Sequence, residues 1–337
     1  MNDLALDLER IPALRVVLTT NCNLRCRYCP PKGENFVNTK GPVTTKRLLS
    51  LLNIFYSIGF RQFGFTGGEP LLREDLSLIL KESLKFKGVS LKLYTNGILL
   101  KDRIKDLENL DLIKLSLDSI DQNKYREITG RDKLKDILCG VRMLKENKIK
   151  VRVNVVLTKD NCGDIFELIN FCHRETVDLK ILDLNCFDMP GYSVWRDLYK
   201  SPSIISRRLA KIKLAKKIIY TKGNYGIPMN EFKWDGIAIR IKDTRKPAVY
   251  APVCQGCGYF LCQEGLYQLT LTSDGRLKMC RHRPDISLNL NKETSDSKIR
   301  KGILRFLEEN YFSTKRIYQK KQVFAGRFGA RDNNETK

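Results

Sequence analysis

Histidine is nearly missing from this chain: His173 and His282 are the two in 337 residues. No histidine lies near enough to the N-terminal cysteines to complete a mixed zinc site there. Long apolar runs are missing as well, and none approaches the roughly 20 residues of a membrane-crossing helix. The opening "MNDLALDLERIPALR" carries acids where a secretory leader has a basic stretch followed by an apolar core. A cytoplasmic protein with no membrane partner is expected. Acids are under-represented, 38 against 61 lysines and arginines, for a net charge of +23. Residues 203–223, "SIISRRLAKIKLAKKIIYTKG", contain none.

What is present fits a folded globular chain, with 42% apolar and 29% charged residues. The length suits one large α/β domain or two smaller ones. The positive charge favours an anionic partner: a nucleotide, a phosphorylated substrate, a nucleic acid or an acidic surface. No motif speaks for nucleic acid. In the basic stretch, Ile205, Leu209, Ile212 and Ile219 can share one helical face, either as a solvated surface helix or as a polyanion-binding one. The cysteines number eleven, an odd count that argues against a disulfide framework. Seven form two groups, at 22–29 and 254–280, as metal ligands do; Cys139, Cys162, Cys172 and Cys186 read as buried structural thiols.

Short apolar runs alternate with helical patterns up to about residue 186. Strands, some with their terminal turns, are expected within 14–18, 63–70, 89–97, 112–119, 150–157 and 179–185, with helices between them. This is an α/β pattern, an open, partial (β/α)6 barrel of parallel strands with sites at the strand C-terminal ends. The expected division is a barrel core over 1–190, a basic helical or irregular link over 191–250, and a C-terminal extension over 251–337. That extension contains a β-hairpin turning at Asp274–Gly275 and binds a cluster through its cysteines.

The first group, "CNLRCRYC", places Cys22, Cys26 and Cys29 at C-x3-C-x2-C. Structural zinc wants four closed ligands. Three thiolates suit a [4Fe–4S] cluster with one iron left open. The motif resembles that of the radical S-adenosylmethionine (radical SAM) superfamily, with Tyr28 as the aromatic before the third cysteine. "TGGEP" at 66–70, "TNG" at 95–97, "SLDS" at 116–119 and "VNVV" at 153–156 follow in that family's order. The resemblance implies a 5′-deoxyadenosyl radical made by reductive cleavage of S-adenosylmethionine. It also implies that Tyr28, Gly67, Gly68, Glu69, Thr95, Asn96, Ser116, Asp118 and Asn154 bind that cofactor.

Within the superfamily the chain resembles the GTP 3′,8-cyclase branch, through "FTGGEPLLREDL", "YTNGILL", "KLSLDSID", "VRVNVVLTKDN" and "LTLTSDGRLKMC". That branch implies a second [4Fe–4S] cluster, here on Cys254, Cys257, Cys262 and Cys280, in a region of the SPASM/twitch kind. Zinc on the same four thiols is the alternative, and closure by four cysteines or three is left open. Arg15 and Arg152 stand where the branch binds its anionic substrate, whereas Gly64, Gln268 and Thr270 stand where it carries arginines. The expected function is hydrogen abstraction from an anionic, nucleotide-like small molecule, with a flavodoxin or ferredoxin as reductant. A peptide-modifying maturase and an RNA-modifying enzyme are the alternatives. The acid–base residues cannot be named from the sequence.

Overall fold

The computed structural model describes residues 13–29, 42–185, 189–212, 214–219, 228–242, 249–250, 268–280, 283, 285–312 and 317–318. Strands and helices alternate through the first half. The strands are β1 (Ala13–Val17), β2 (Gln62–Thr66), β3 (Ser90–Thr95), β4 (Leu112–Ser116), β5 (Val151–Val156) and β6 (Asp178–Leu182). Between them run helices α1 (Thr45–Ile58), α2 (Leu76–Ser83), α3 (Leu100–Arg103), α4 (Gln122–Thr129), α5 (Leu134–Glu146) and α6 (Ile165–Arg174). All six strands pair in parallel, each with its successor in sequence.

Local chemistry sets the helix ends. Thr44 caps α1 by accepting from Arg47 N–H at 3.3 Å, and Gly59 ends it in the left-handed conformation at φ 116°. Helix α4 starts at an Asp121 cap and stops at Gly130, φ 72°. Its mean apolarity is low, so tertiary packing through Tyr125 and Ile128 holds it.

The strands alternate in a way that decides the architecture. Leu14, Val16, Phe63, Phe65, Leu91, Leu93, Ile113, Leu115, Val153, Leu179 and Ile181 are fully buried in one continuous core with the helices. Burial of each such side chain contributes about 1.5–3 kcal/mol. The alternate positions, Arg15, Lys92, Tyr94, Lys114, Arg152, Asn154 and Lys180, are only half-buried and line a cavity. One face of the sheet is therefore an apolar seat for helices and the other a polar lumen.

The sheet stays open and grows at both edges, as a partial barrel does. After α7 (Met189–Leu198) and α8 (Ser203–Ala210) come β7 (Ala215–Ile219), β8 (Met229–Trp234) and β9 (Ile237–Lys242). They form an antiparallel meander whose last strand lies parallel to β6. The link expected to be helical or irregular is thus helical through α7 and α8 and then sheet, and the helical spacing read over 203–223 holds only as far as Ala210. Ile205 and Leu209 are buried on α8, but the chain then turns into strand β7, leaving Ile212 49% and Ile218 54% exposed.

Further on, β10 (Val249–Tyr250) precedes β11 (Gln268–Leu271), β12 (Arg276–Lys278), β13 (Ser287–Asn289), α9 (Asp296–Leu307) and β14 (Ile317–Tyr318), which pairs with β10. The expected hairpin is present, with Gly275 at φ 77° in its turn. It joins the main sheet, β11 lying parallel to β1, so the order is β13-β12-β11-β1-β2-β3-β4-β5-β6-β9-β8-β7.

Candidate active site

The loop after β1 carries the three cysteines and is tied down on several sides. Arg25 and Arg27 donate backbone N–H groups to Thr129 and Ile128 at the end of α4, both at 2.9 Å. The Arg27 guanidinium reaches Asp160 at 2.8 Å. Gly68 and Glu69 donate backbone N–H groups to Thr19 and Asn21, at 2.9 and 2.7 Å. The glycine pair is required by this approach: a Cβ on Gly67 would stand 2.5 Å from the Thr19 carbonyl oxygen, and one on Gly68 2.2 Å from that of Asn21. Backbone fills both spaces, so neither neighbour can yield cheaply.

Glu69 is wholly buried behind this loop. Its carboxylate accepts from Leu71 N–H at 3.0 Å, Thr95 Oγ1 at 2.7 Å and Asn96 N–H at 2.7 Å. Burial pushes its pKa up to about 7 against the pull of those three donors. Glu69 thus braces the "TNG" turn, which in turn sends Asn96 Nδ2 to Asn23 Oδ1 at 2.7 Å. It is not among the residues that line the cavity.

Asp118, after β4, accepts from the Tyr28 hydroxyl at 2.6 Å and from Val156 N–H at 3.0 Å. Burial raises its pKa to about 6, opposed by the same two hydrogen bonds. Asn161 fixes the turn below by donating to the carbonyls of Asp118 and Val156, at 3.1 and 2.9 Å.

Cys22, Cys26 and Cys29 form no disulfide and line one cavity of about 460 Å³. Burial pushes the Cys26 thiol well up, and the nearby Asp118, Cys29 and Cys22 push further. Three thiols close enough to repel as thiolates need a bound cation to deprotonate them. Among the described residues no set of three metal-ligating side chains converges on a single ion. A multi-iron cluster, in which each thiolate takes its own iron, fits such a donor set.

The same cavity is lined by Arg15, Tyr28, Gly67, Gly68, Thr95, Asn96, Ser116, Asp118, Arg152 and Asn154. Apart from Glu69, the N-terminal residues expected at the site therefore do meet there. The sequence reading missed Lys92, Tyr94, Lys114, Lys180 and Lys242, which line it too. A signal existed: Lys92 and Tyr94, Lys114 and Ser116, Arg152 and Asn154 stand at alternate positions of strands otherwise built from buried apolar residues. Of the second cysteine group, Cys254, Cys257 and Cys262 lie outside the described residues. Cys280 follows β12, which runs antiparallel to β11, at the opposite end of the sheet from the three thiols.

A family model described as the radical SAM superfamily matches residues 16–172, from β1 to α6. Those residues form a radical SAM domain. The domain covers all three thiols, the glycine pair and Asp118. A GTP 3′,8-cyclase of Clostridium perfringens (strain SM101) is 37% identical over 181 residues, covering 52% of this chain and 56% of that protein. The chain thus spans about half the length of this relative. A probable GTP 3′,8-cyclase of Sulfurisphaera tokodaii is 29% identical over 288 residues, 83% of this chain and 84% of that protein. The crystal structure of Streptococcus suis SuiB bound to S-adenosylmethionine superposes with a TM-score of 0.60 at 16% identity, over 87% of this chain and 68% of that one. At that identity the likeness concerns the fold. Among the described residues no helix is long and apolar enough to cross a membrane.

Proposed function

We propose that this chain is a radical SAM enzyme of the GTP 3′,8-cyclase kind, acting on an anionic, nucleotide-like small molecule. The observation that carries the reading is one cavity lined by the three cysteines of a single loop and, among its described residues, by six cationic side chains. A [4Fe–4S] cluster on Cys22, Cys26 and Cys29 supplies one-electron reductive cleavage of S-adenosylmethionine to a 5′-deoxyadenosyl radical.

The chain's own residues bind and orient. The carbonyl of Gly68 and the Asn96, Ser116, Asp118 and Asn154 side chains are the cofactor's contacts in this reading. Tyr28, fixed by Asp118, holds the loop. Glu69 acts from behind, by positioning Thr95 and Asn96. Arg15 and Arg152 attract the substrate's negative groups.

In the same reading Cys254, Cys257, Cys262 and Cys280 hold a second cluster. A cytoplasmic flavodoxin or ferredoxin supplies electrons. The test is iron and sulfide analysis with low-temperature EPR on anaerobically reconstituted protein. Two clusters, one of them perturbed by S-adenosylmethionine, are expected; a second signal perturbed by GTP would name GTP as the nucleotide. An iron-free protein that leaves S-adenosylmethionine intact would end the enzyme reading. Loss of about half the iron in Cys280→Ala is the mark of the second cluster.

A further inference from the structure

Gly64 on β2 makes room for Tyr94 on β3. A Cβ at residue 64 would stand 2.9 Å from Tyr94 Cε2 and 3.6 Å from its hydroxyl oxygen. Any side chain there would displace the ring. The ring in turn gathers cations from strands on either side of β3. Tyr94 is in register with Lys114 on β4, whose ammonium lies 4.0 Å from the ring centroid and donates to the phenol oxygen. The Arg15 guanidinium, from β1, lies 5.5 Å from the same centroid.

The pair presents donors to the cavity. Lys114 uses a lone pair of the phenol oxygen, which leaves the Tyr94 O–H proton and the remaining ammonium protons for a ligand. Arg152 is in register with Lys114 on the next strand. Beyond it the Lys180 ammonium makes no hydrogen bond or ion pair with any described residue. The acids among the described lining residues are Asp118 and Asp183, and Asp118 is taken by Tyr28. Six cations against two acids leave the described lining with an excess of positive charge. Burial, with Arg152, Lys92 and Arg15 close by, drives the Lys114 pKa well down, and an entering anion would relieve both costs.

We infer that Lys114 and Tyr94, seated in the room left by Gly64, form an oxyanion-binding pair that selects substrate by a phosphate or carboxylate group laid on the cavity floor. The inference rests on the reading of this cavity as an anionic-substrate site, and names the group that the site grips.

Titration calorimetry on the reconstituted holoprotein tests it, with pyrophosphate and citrate as probes, on wild type, Lys114→Gln, Lys114→Arg, Tyr94→Phe and Arg152→Gln. Lys114→Gln is expected to weaken binding about tenfold or more and Tyr94→Phe by about threefold to tenfold, with Lys114→Arg restoring most of the affinity. An unchanged S-adenosylmethionine affinity shows that the variants fold. A loss confined to pyrophosphate identifies a phosphate group, and one confined to citrate a carboxylate; either supports the pair. If Arg152→Gln weakens binding while Lys114→Gln and Tyr94→Phe do not, the pair is refuted and the anionic-substrate reading stands. If wild type binds neither probe, both fall.

Discussion

The hydroxyl of Tyr28 donates to Asp118 Oδ2 at 2.6 Å, joining the cysteine loop to the end of a strand 90 residues away. Because Asp118 is 4% exposed, the carboxylate cannot turn to water if this donor is lost. Tyr28→Phe is expected to cost about 1–3 kcal/mol of unfolding free energy. It should also lower iron retention after reconstitution. The Arg27–Asp160 bridge ties down the same loop, but its arginine is 54% exposed, and Arg27→Ala is expected to cost under about 1 kcal/mol. Equal losses in urea titrations would show that burial is not what makes the first tether the stronger one.

Each of Cys22→Ala, Cys26→Ala and Cys29→Ala is expected to abolish formation of 5′-deoxyadenosine from S-adenosylmethionine under reducing conditions. Cys139 is exposed on α5 and lines no part of the cavity. Cys139→Ala should keep wild-type turnover, and a comparable loss there would point to general thiol damage.

Glu69 gives the fold a pH dependence of definite sign. Its pKa is about 7 in the folded chain against an ordinary 4.5, so between those values the folded state holds the proton more tightly than the unfolded one. Stability contributed by this group is therefore full below pH 4.5, falls as the pH rises to 7, and is flat above. The span corresponds to about 3 kcal/mol. Denaturant titrations of wild type and Glu69→Gln at pH 5 and pH 8 should show a larger fall for wild type. A parallel pair of curves would assign the slope to other groups.

Anion binding should take up protons. Burial first, and then Arg152, Lys114, Lys242 and Arg240, hold the Lys180 pKa well below its usual 10.5; Lys114 is lowered likewise, by burial and then Arg152, Lys92 and Arg15. A bound anion favours the charged amines, so affinity should rise as the pH falls from the ordinary lysine value toward the lowered one. Calorimetry of pyrophosphate binding in two buffers of different ionisation heat reads the protons directly. A heat independent of buffer would show that the lysines are already charged in the empty cavity.

By itself the sequence determined the alternation of strands and helices, the thiol trio and the strand-end motifs. Each is a local property: period-two and helical spacing, capping residues, and a spacing of cysteines within one loop. The tertiary structure alone decided what those residues face. Glu69 reads as a cofactor ligand in its motif, yet the approach of two loops buries its carboxylate among Leu71, Thr95 and Asn96. Lys92, Lys114 and Lys180 read as ordinary charges until parallel pairing aligns their strands and turns alternate positions into one lumen. The basic stretch after residue 203 could not be divided into α8 and β7 from its apolar spacing. What sends Ala215–Ile219 into a strand is antiparallel pairing with the next strand, β8, whose own place is set by β9 and β6 in the main sheet, a context that apolar spacing within 203–223 does not carry.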